Sequence, residues 1–323
     1  MEGVAMSEQP NRLDTAFWRN RSVLVTGATG MVGSWLVRDL LKVGARVVAL
    51  VRDNDYQTEF FRSGDYRRTT IVNGIIEDYG SVERAINEHE VDTVFHLAAM
   101  TIVGTAVRAP LACMEANIRG TYNVLEACRV HSGLVRRLVI ASSDKAYGDQ
   151  PVLPYNEDMS LIGRHPYDVS KSCADLISQA YANTYDIPVA IARCGNIYGG
   201  GDLNWSRIVP GTIRTLLAGE RPIIRSDGKF VRDYVYVKDA SRAYMRLAEC
   251  LEDQQVRGRA FNFSLERPVD VLEIVDVMRQ QMKRMDLEAD IQNTARHEIR
   301  SQFLDSTRAR EVLQWEPEFT LEE

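Results

Sequence analysis

The stretch Val23–Gly33 reads VLVTGATGMVG, and it predicts the fold of the chain. A run of β-branched residues leads into Gly27, Gly30 and Gly33, at G-x-x-G-x-x-G spacing, and a helical pattern follows. Such a turn is tight, and it lets a pyrophosphate approach the N–H groups at a helix N-terminus, where the helix dipole favours anions. Glycine turns join many strands to helices, so the position of this one in the first strand-helix unit adds weight. The stretch predicts the start of a dinucleotide-binding fold.

Short apolar runs alternate with longer amphipathic stretches over most of the chain. The predicted strands are SVLVTG, RVVALV, TTIVNG, VDTVFHLAA, RRLVIASS, VAIARCG and FVRDYVYV. Apolar strands separated by helices are typical of a parallel sheet with helices on both faces. We therefore predict an α/β fold, a Rossmann doubly wound parallel sheet with a smaller C-terminal α/β substrate domain. The predicted ranges are 17–192 for the nucleotide-binding domain, completed by about 230–260, then 193–229 and 261–323 for the substrate-binding domain, and 1–16 for a flexible leader.

Composition narrows the classes of function. The chain has 323 residues, is 45% hydrophobic and carries a formal net charge of −6, which gives no cationic field for nucleic acid. Its five cysteines are odd in number and lack C-x-x-C pairing, so we expect reduced thiols and no metal site. No run reaches the length of a membrane span, and the first residues lack the apolar centre of a signal peptide. We expect a cytoplasmic protein that binds neither membrane nor nucleic acid.

The end of the second predicted strand leaves the cofactor open between NAD and NADP. An acidic residue is expected there to hold the adenosine ribose, but the position holds Val51, followed by Arg52 and Asp53. An arginine accepts a 2′-phosphate, whereas Asp53 turned inward would serve a ribose. Arg52 is alternatively a solvent-facing loop residue.

Tyr167 and Lys171 are the candidate chemical pair. They lie four residues apart in HPYDVSKSCADLI, so a helix presents both on one face. An ammonium near a phenol favours the phenolate, as would a cationic nicotinamide, and this would let Tyr167 act as a general base. Ser143, 24 residues earlier, has a hydroxyl that would bond the same substrate oxygen. An isolated Tyr-x-x-x-Lys pair is otherwise an ordinary helix surface.

Several motifs in a shared order resemble the extended short-chain dehydrogenase/reductase family, in its sugar-nucleotide branch. They are TGATGMVG, HLAAMT, NIRGTYNVLEAC, SSDKAYG, YDVSK, RCGNIYGG and VRDYVYVKD, and they run from about Phe17 to the end of the chain. The resemblance implies a Rossmann fold, tightly bound NAD(P), a nucleoside diphosphate sugar as substrate, and homodimers joined through long helices near 111–130 and 167–185. Ordinary core packing is the alternative role of those helices.

The adjacent charges Asp144 and Lys145 indicate which branch of the family the chain resembles. A surface salt bridge is the ordinary interpretation of such a pair. In this family, however, 4,6-dehydratases carry an acid and a second ionisable group after the catalytic Ser or Thr, and the Asp-Lys pair resembles that of CDP-glucose 4,6-dehydratases. The Val-Arg-Asp at 51–53 is more similar to the NADP-using GDP-mannose dehydratases.

The resemblance implies a chemical sequence for these residues. Tyr167 would take the proton of the C4 hydroxyl while hydride leaves C4, and the resulting ketone would acidify C5. Asp144 would then protonate the departing C6 hydroxyl, and Lys145 would be the C5 base or its electrostatic helper. We predict an NDP-hexose 4,6-dehydratase. The alternatives are a nucleotide-sugar 4-epimerase, which uses the same Tyr167 and Lys171, and, more remotely, a non-catalytic NAD(P)-binding protein.

The remaining predicted contacts follow from the same motifs. The cofactor set is Gly27, Thr29, Gly30, Met31, Val32, Gly33, Arg52, Asp53, Ile76, Leu97, Ala98, Ala99, Thr101, Asn117, Tyr167 and Lys171. The substrate set is Asn196, Arg207, Ile208, Val209 and Arg232, with Arg232 on the diphosphate or, alternatively, paired with Asp233. Ile75 stands where relatives have an adenine-binding aspartate, so Asp78 or a backbone group is expected to substitute. We expect His96 to support the cofactor loop.

Overall fold

Fourteen strands are described in the computed structural model, which covers residues 13–294 and 299–323. In chain order they are β1 (Ser22–Thr26), β2 (Arg46–Val51), β3 (Thr70–Asn73), β4 (Thr93–His96), β5 (Arg137–Ala141), β6 (Val189–Cys194), β7 (Asn196–Tyr198), β8 (Ile223–Ile224), β9 (Val231–Arg232), β10 (Tyr234–Tyr236), β11 (Ala260–Phe263), β12 (Val269–Asp270), β13 (Asp290–Ile291) and β14 (Ser301–Gln302). Seven of them form one sheet in the order β11-β6-β5-β4-β1-β2-β3, with every neighbouring pair parallel. The predicted doubly wound parallel sheet is confirmed.

Helices cover both faces of this sheet. They are α1 (Thr15–Trp18), α2 (Met31–Lys42), α3 (Glu59–Arg62), α4 (Tyr79–Glu88), α5 (Val103–Arg108), α6 (Pro110–Met114), α7 (Gly120–Val130), α8 (Pro166–Tyr185), α9 (Ile208–Leu217), α10 (Val237–Glu249), α11 (Val271–Gln281) and α12 (Thr307–Leu313). Short 3₁₀ turns lie at Asp65–Arg68 and Asp144–Tyr147, and a π-helical stretch, Glu115–Arg119, joins α6 to α7. In the part of the chain that is described, no helix has the length and apolar character to span a membrane.

Alternating side chains of the strands build two cores. Val23 and Val25 of β1 point into a cluster that contains Leu36 of α2 and Leu247 of α10. Leu24, between them, points to the other face and packs with residues of α4 and α7. Because side chains alternate along a strand, the buried strand β1 contributes apolar side chains to both cores at once. A third cluster, around α9 and α11, lies among the small sheets.

The predicted strand FVRDYVYV is broken in the structure. Its first half, β9, lies between β12 and β14, and its second half, β10, pairs with β7. The change of partner falls at Asp233, whose carbonyl oxygen accepts the N–H of Asn196 and whose carboxylate accepts the N–H of Leu304. The seventh strand of the large sheet is instead β11, residues 260–263.

The remaining sequence expectations meet the structure unevenly. α9 ends at Leu217, and Gly219, two residues later, has a φ of +78°. The helix expected near 111–130 is interrupted by the π-helical stretch, while α8 is continuous. Of the predicted leader, residues 1–12 lie outside the described residues, and Thr15 already belongs to α1. The division into two domains stays a prediction.

A buried ion pair ties α8 to the sheet. Arg193 of β6 donates from Nε and Nη2 to both oxygens of Asp175 in α8, at 2.8 and 2.9 Å, and the two side chains are 2% and 0% exposed. Arg193 Nη1 also donates to the hydroxyl of Tyr147, and this hydroxyl donates to Oδ1 of Asn262. The same guanidinium therefore fixes both the helix and the end of the 144–147 turn.

Replacement of Asp175 is expected to destabilise the fold strongly. Asp175→Ala leaves a buried guanidinium without its carboxylate, so the free energy of unfolding should fall by about 3–5 kcal/mol in urea titrations. The matched control is Asp158→Ala, which removes a carboxylate that is 83% exposed and paired with Arg308. That change should cost at most about 1 kcal/mol. Equal stabilities of the two variants would contradict the assignment.

Candidate active site

The candidate residues meet at the carboxyl edge of the large sheet. The glycine turn follows β1, the Leu97–Thr101 loop follows β4 and the Ser143–Lys145 turn follows β5. Since β1 lies between β2 and β4, the direction of the crossovers reverses beside the glycine turn. Open parallel sheets bind their ligands in the crevice at such a point.

The glycine turn fits a dinucleotide. Gly27 has a φ of +74°, and a Cβ on it would lie 2.7 Å from the backbone nitrogen of Ala98. A Cβ on Gly33 would lie 2.1 Å from the carbonyl oxygen of Gly27, so the helix can pack this closely only with glycine there. No described side chain caps α2 at Gly30, which leaves first-turn N–H groups for an anion. Thr29, Met31 and Val32 belong to the same turn and first helical residues.

The end of β2 points its charges outward. Val51 is buried, while Arg52 Nε donates to Asp53 Oδ2 at 2.6 Å, with both side chains about two-thirds exposed (67% and 68%). Both side chains are exposed to a ligand at this strand end, and their contacts with NAD or NADP stay predictions. Asp78 accepts the N–H groups of Gly80 and Ser81 as the cap of α4, and its contact with adenine stays a prediction.

His96 supports the cofactor loop, as expected. Its Nδ1 lies 2.8 Å from the hydroxyl of Thr26, which accepts the N–H of Ala98, and its Nε2 lies 3.1 Å from the hydroxyl of Thr121. Thr121 donates to the carbonyl of Asn117, so His96 Nε2 must carry the proton and Nδ1 must accept. Burial lowers the pKa of His96 to about 3, so the ring stays neutral.

Asn117 anchors the same loop. Its carboxamide accepts the N–H of Met100 at 2.7 Å and donates to the carbonyl of Met100 and the hydroxyl of Ser170. It lies in the π-helical stretch, a feature often found at functional sites. These bonds hold Met100 of the loop Leu97–Thr101 beside the π-helical stretch, and the direct contact of Asn117 with the cofactor stays a prediction. Ile76, the other outlying cofactor prediction, is buried against Gly120.

The turn after β5 buries Asp144 and places Lys145 in a hydrogen bond with a distant residue. The Ser143 hydroxyl donates to Asp144 Oδ1 at 2.8 Å, and Asp144 is 2% exposed. Lys145 Nζ donates at 3.1 Å to the amide oxygen of Gln302 in β14. The ordinary interpretation of this pair, a solvated surface salt bridge, is therefore wrong for Asp144.

Tyr167 and Lys171 lie together at the start of α8, but the lysine bonds elsewhere. Lys171 Nζ donates to the carbonyl of Ala141 at 2.8 Å, and burial lowers its pKa to about 8. Burial raises the pKa of the Tyr167 phenol above its usual value, and the charge of Asp144 raises it further, while Ser143 and Arg207 act against them. The expected depression of the Tyr167 pKa is thus opposite to the effect of the surrounding protein groups, because burial dominates.

Three residues that sequence analysis did not place in the site surround the turn. Asp168 is buried beside Tyr167, with a pKa raised by burial against the charges of Lys145 and His165. Burial raises the pKa of Asp233 to about 6, and Asp144 contributes in the same direction. Gln302 is the third. Asp168 is visible in the YDVSK motif, but no sequence signal links Gln302 to a lysine 157 positions earlier.

The predicted substrate residues lie outside the large sheet, in or next to β7, β9 and α9. Arg232 is buried and donates from Nη1 to the carbonyls of Val231 and Arg300. Arg207 precedes α9, pairs with Asp202 at 3.1 Å and is close enough to Tyr167 to lower its pKa. The others are Asn196 in β7 and Ile208 and Val209 in the first turn of α9. Their contacts with a substrate stay predictions.

A family model and a known protein match most of the chain. A family model described as GDP-mannose 4,6 dehydratase matches residues 24–323. The CDP-glucose 4,6-dehydratase of Salmonella typhimurium is 29% identical to this chain. The similarity covers 96% of this chain and 90% of that protein.

Two solved structures extend the comparison. The UDP-glucose 4-epimerase of Thermotoga maritima, solved with UDP-glucose, is 28% identical with a TM-score of 0.85, over 94% of this chain and 95% of that one. The dTDP-glucose 4,6-dehydratase of Streptomyces venezuelae, solved with NAD and TYD, is 25% identical with a TM-score of 0.83, over 93% and 92%.

The buried neutral His96 should make the protein less stable in acid. Unfolded histidine binds a proton below its ordinary pKa of about 6.5, whereas folded His96 does so only near 3. Stability from this group is therefore complete above pH 6.5 and declines as the pH falls towards 3. Between pH 7 and pH 5, the unfolding free energy of the wild type should fall by about 2 kcal/mol because of His96. The fall in His96→Gln should be smaller by that amount. An unchanged pH dependence would contradict the assignment.

Proposed function

The chain belongs to the GDP-mannose 4,6-dehydratase family of extended short-chain dehydrogenase/reductases, and from this we propose that it is an NDP-hexose 4,6-dehydratase. It would convert a nucleotide hexose, CDP-glucose or a close relative, to the 4-keto-6-deoxy sugar. The similarity to the Salmonella CDP-glucose 4,6-dehydratase supports this substrate class.

The observation that carries the proposal is the placement of Asp144. It is a buried acid at the carboxyl end of β5, and it is near enough to Tyr167 to raise the pKa of the phenol. A sugar whose C4 hydroxyl meets Tyr167 would hold its neighbouring carbons beside the same turn. Elimination of water from C5 and C6 needs an acid at that place, and a reaction at C4 alone does not.

The chain's own groups suit the steps of the reaction. Tyr167 and Ser143 would bind the C4 hydroxyl, with Tyr167 taking its proton. Lys145 would remove the C5 proton, and Asp144 would protonate the C6 hydroxyl as it leaves. The nicotinamide, when bound, takes up hydride from C4 and supplies it to C6. The uncapped N-terminus of α2 and the loop held by His96 and Asn117 would hold the dinucleotide, which we propose is NAD or NADP.

A nucleotide-sugar 4-epimerase is the second candidate. It is favoured by the similarity to the Thermotoga UDP-glucose 4-epimerase, which has the higher TM-score of the two solved structures. Tyr167, Ser143 and Lys171 would serve an epimerase equally well. The buried Asp144 beside Lys145 favours the dehydratase, because a reaction confined to C4 gives that acid no task.

We also propose a homodimer. Apolar side chains are exposed on neighbouring helices, with Val107 of α5 at 57%, Leu111 of α6 at 73% and Leu176 of α8 at 53% exposure. Exposed apolar surface of this kind is often covered by a partner.

We propose that Arg232 and Arg207 bind the diphosphate of the substrate, because both are cations outside the large sheet, in β9 and just before α9. Residence in the cytoplasm stays a prediction.

Incubation with nucleotide hexoses tests the proposed activity. The protein, loaded with NAD or with NADP, is given CDP-, dTDP-, UDP- and GDP-hexoses, and the products are weighed by mass spectrometry. We expect loss of one water from at least one of them, since elimination removes the C6 hydroxyl. A product of unchanged mass with inverted C4 would support the epimerase, and no product with any sugar would overturn both.

Asp144→Asn should separate the first step from the second. An amide cannot supply the proton for the leaving hydroxyl, so formation of the 4-keto-6-deoxy sugar should fall by about 100-fold or more. Partial reduction of the cofactor should remain visible in the nicotinamide absorbance. Asp149→Asn, an exposed position on the same loop, is the control and should keep full turnover. Intact turnover in Asp144→Asn would remove Asp144 from the acid role.

A further inference from the structure

Gln302 is a buried amide whose only described side-chain bond is with the candidate base. It lies in β14, where it is the register partner of Arg232 in β9, and it is 1% exposed. Its Oε1 accepts from Lys145 Nζ at 3.1 Å. Its Nε2 is buried and has no hydrogen-bond partner among the described residues. Such a group is unfavourable in a protein interior and calls for an explanation.

The chemistry of the pair fixes the orientation of the amide. A lysine ammonium can only donate, so the oxygen of Gln302 must face Lys145 and the NH₂ group must face away. While Lys145 is an ammonium, rotation of the amide by a half turn would set two donor groups against each other. The bond with Lys145 is therefore what holds Gln302 in place at the cost of an unpaired N–H group.

The neutrality of Gln302 matters because charged groups surround Lys145. Asp144 precedes it on the same turn, and Asp168 of α8 is near enough for the charge of Lys145 to lower its pKa. His165 lies near Asp168, Asp233 lies near Asp144, and Arg232 is the register partner of Gln302. A carboxylate as the direct partner would favour the ammonium form and oppose loss of its proton. An amide oxygen accepts from the N–H groups of an ammonium and of a free amine alike.

We propose that Gln302 is a positioning residue that aims Lys145 Nζ at the sugar's C5 and leaves it free to lose its proton. This rests on the proposed function. In the step concerned, the C5–H bond breaks, its proton passes to the free amine of Lys145, and its electron pair forms the C5–C6 double bond. The C6–O bond breaks at the same time, and the hydroxyl leaves as water with the proton of Asp144.

Two substitutions of Gln302 test the proposal by different means. Gln302→Glu keeps the shape and adds a charge, so it should move the acid limb of the turnover pH profile up by about one unit. Gln302→Met removes the acceptor, so it should slow exchange of the C5 proton with deuterated water about tenfold, with KM nearly unchanged. Neither should alter the first hydride transfer, followed by nicotinamide absorbance. Gln281→Glu, an exposed position, is the control and should behave as wild type.

A direct titration separates this inference from the proposed function. Reductive ¹³C-methylation labels the lysines, and the Lys145 signal, assigned by its loss in Lys145→Met, should titrate about one unit higher in Gln302→Glu. An active wild type in which Gln302→Glu and Gln302→Met leave the pH profile, the C5 exchange and this titration unchanged overturns the role of Gln302 alone. A wild type that forms no 4-keto-6-deoxy product overturns the proposed function, and the titration then still decides whether Gln302 governs Lys145.

Discussion

The bidentate bond between Arg193 and Asp175 joins the parts of the molecule that have to work together. Asp175 lies two turns after Tyr167 on α8, and Arg193 lies in β6, beside the strand from which the Asp144 turn departs. The bond of Arg193 with Tyr147 fixes the end of that turn. Buried ion pairs add little net stability compared with apolar packing, but they tolerate few alternative geometries. The network therefore determines how the phenol, the acid and the base lie relative to one another.

Sequence patterns were sufficient where the determinants are local. The first six predicted strands and α8 follow from apolar runs and helical spacing, which act within a few residues of each other. The glycine turn is local in the same sense, since Gly27 and Gly33 allow close contacts within one strand-helix unit and with the neighbouring loop. The order of the motifs then predicted the family, and the match to residues 24–323 confirmed it.

The predictions were wrong or incomplete where contacts between distant parts of the chain determine the structure. FVRDYVYV has the composition of one strand, but Asp233 receives bonds from residues far along the chain, and the strand changes partner there. The spacing of Tyr167 and Lys171 was right, yet burial outweighs the expected effect on the Tyr167 pKa. Asn117 bonds to Met100 and Ser170, which lie far from it in sequence, and its contact with a cofactor stays a prediction. None of these outcomes is encoded in a short window.

Asp144 and Lys145 are adjacent in sequence, but each is hydrogen-bonded to a neutral side chain. If Asp144 and Lys145 bonded each other in a buried site, both would be held in their charged forms, and neither could exchange a proton with a sugar. Asp144 instead accepts a hydrogen bond from the Ser143 hydroxyl, and Lys145 donates one to the amide oxygen of Gln302. The 3₁₀ turn contributes by directing consecutive side chains apart, since residues one position apart do not face each other on a helix. The two charges can therefore serve neighbouring carbons of one substrate, which is what removal of water across a carbon-carbon bond demands.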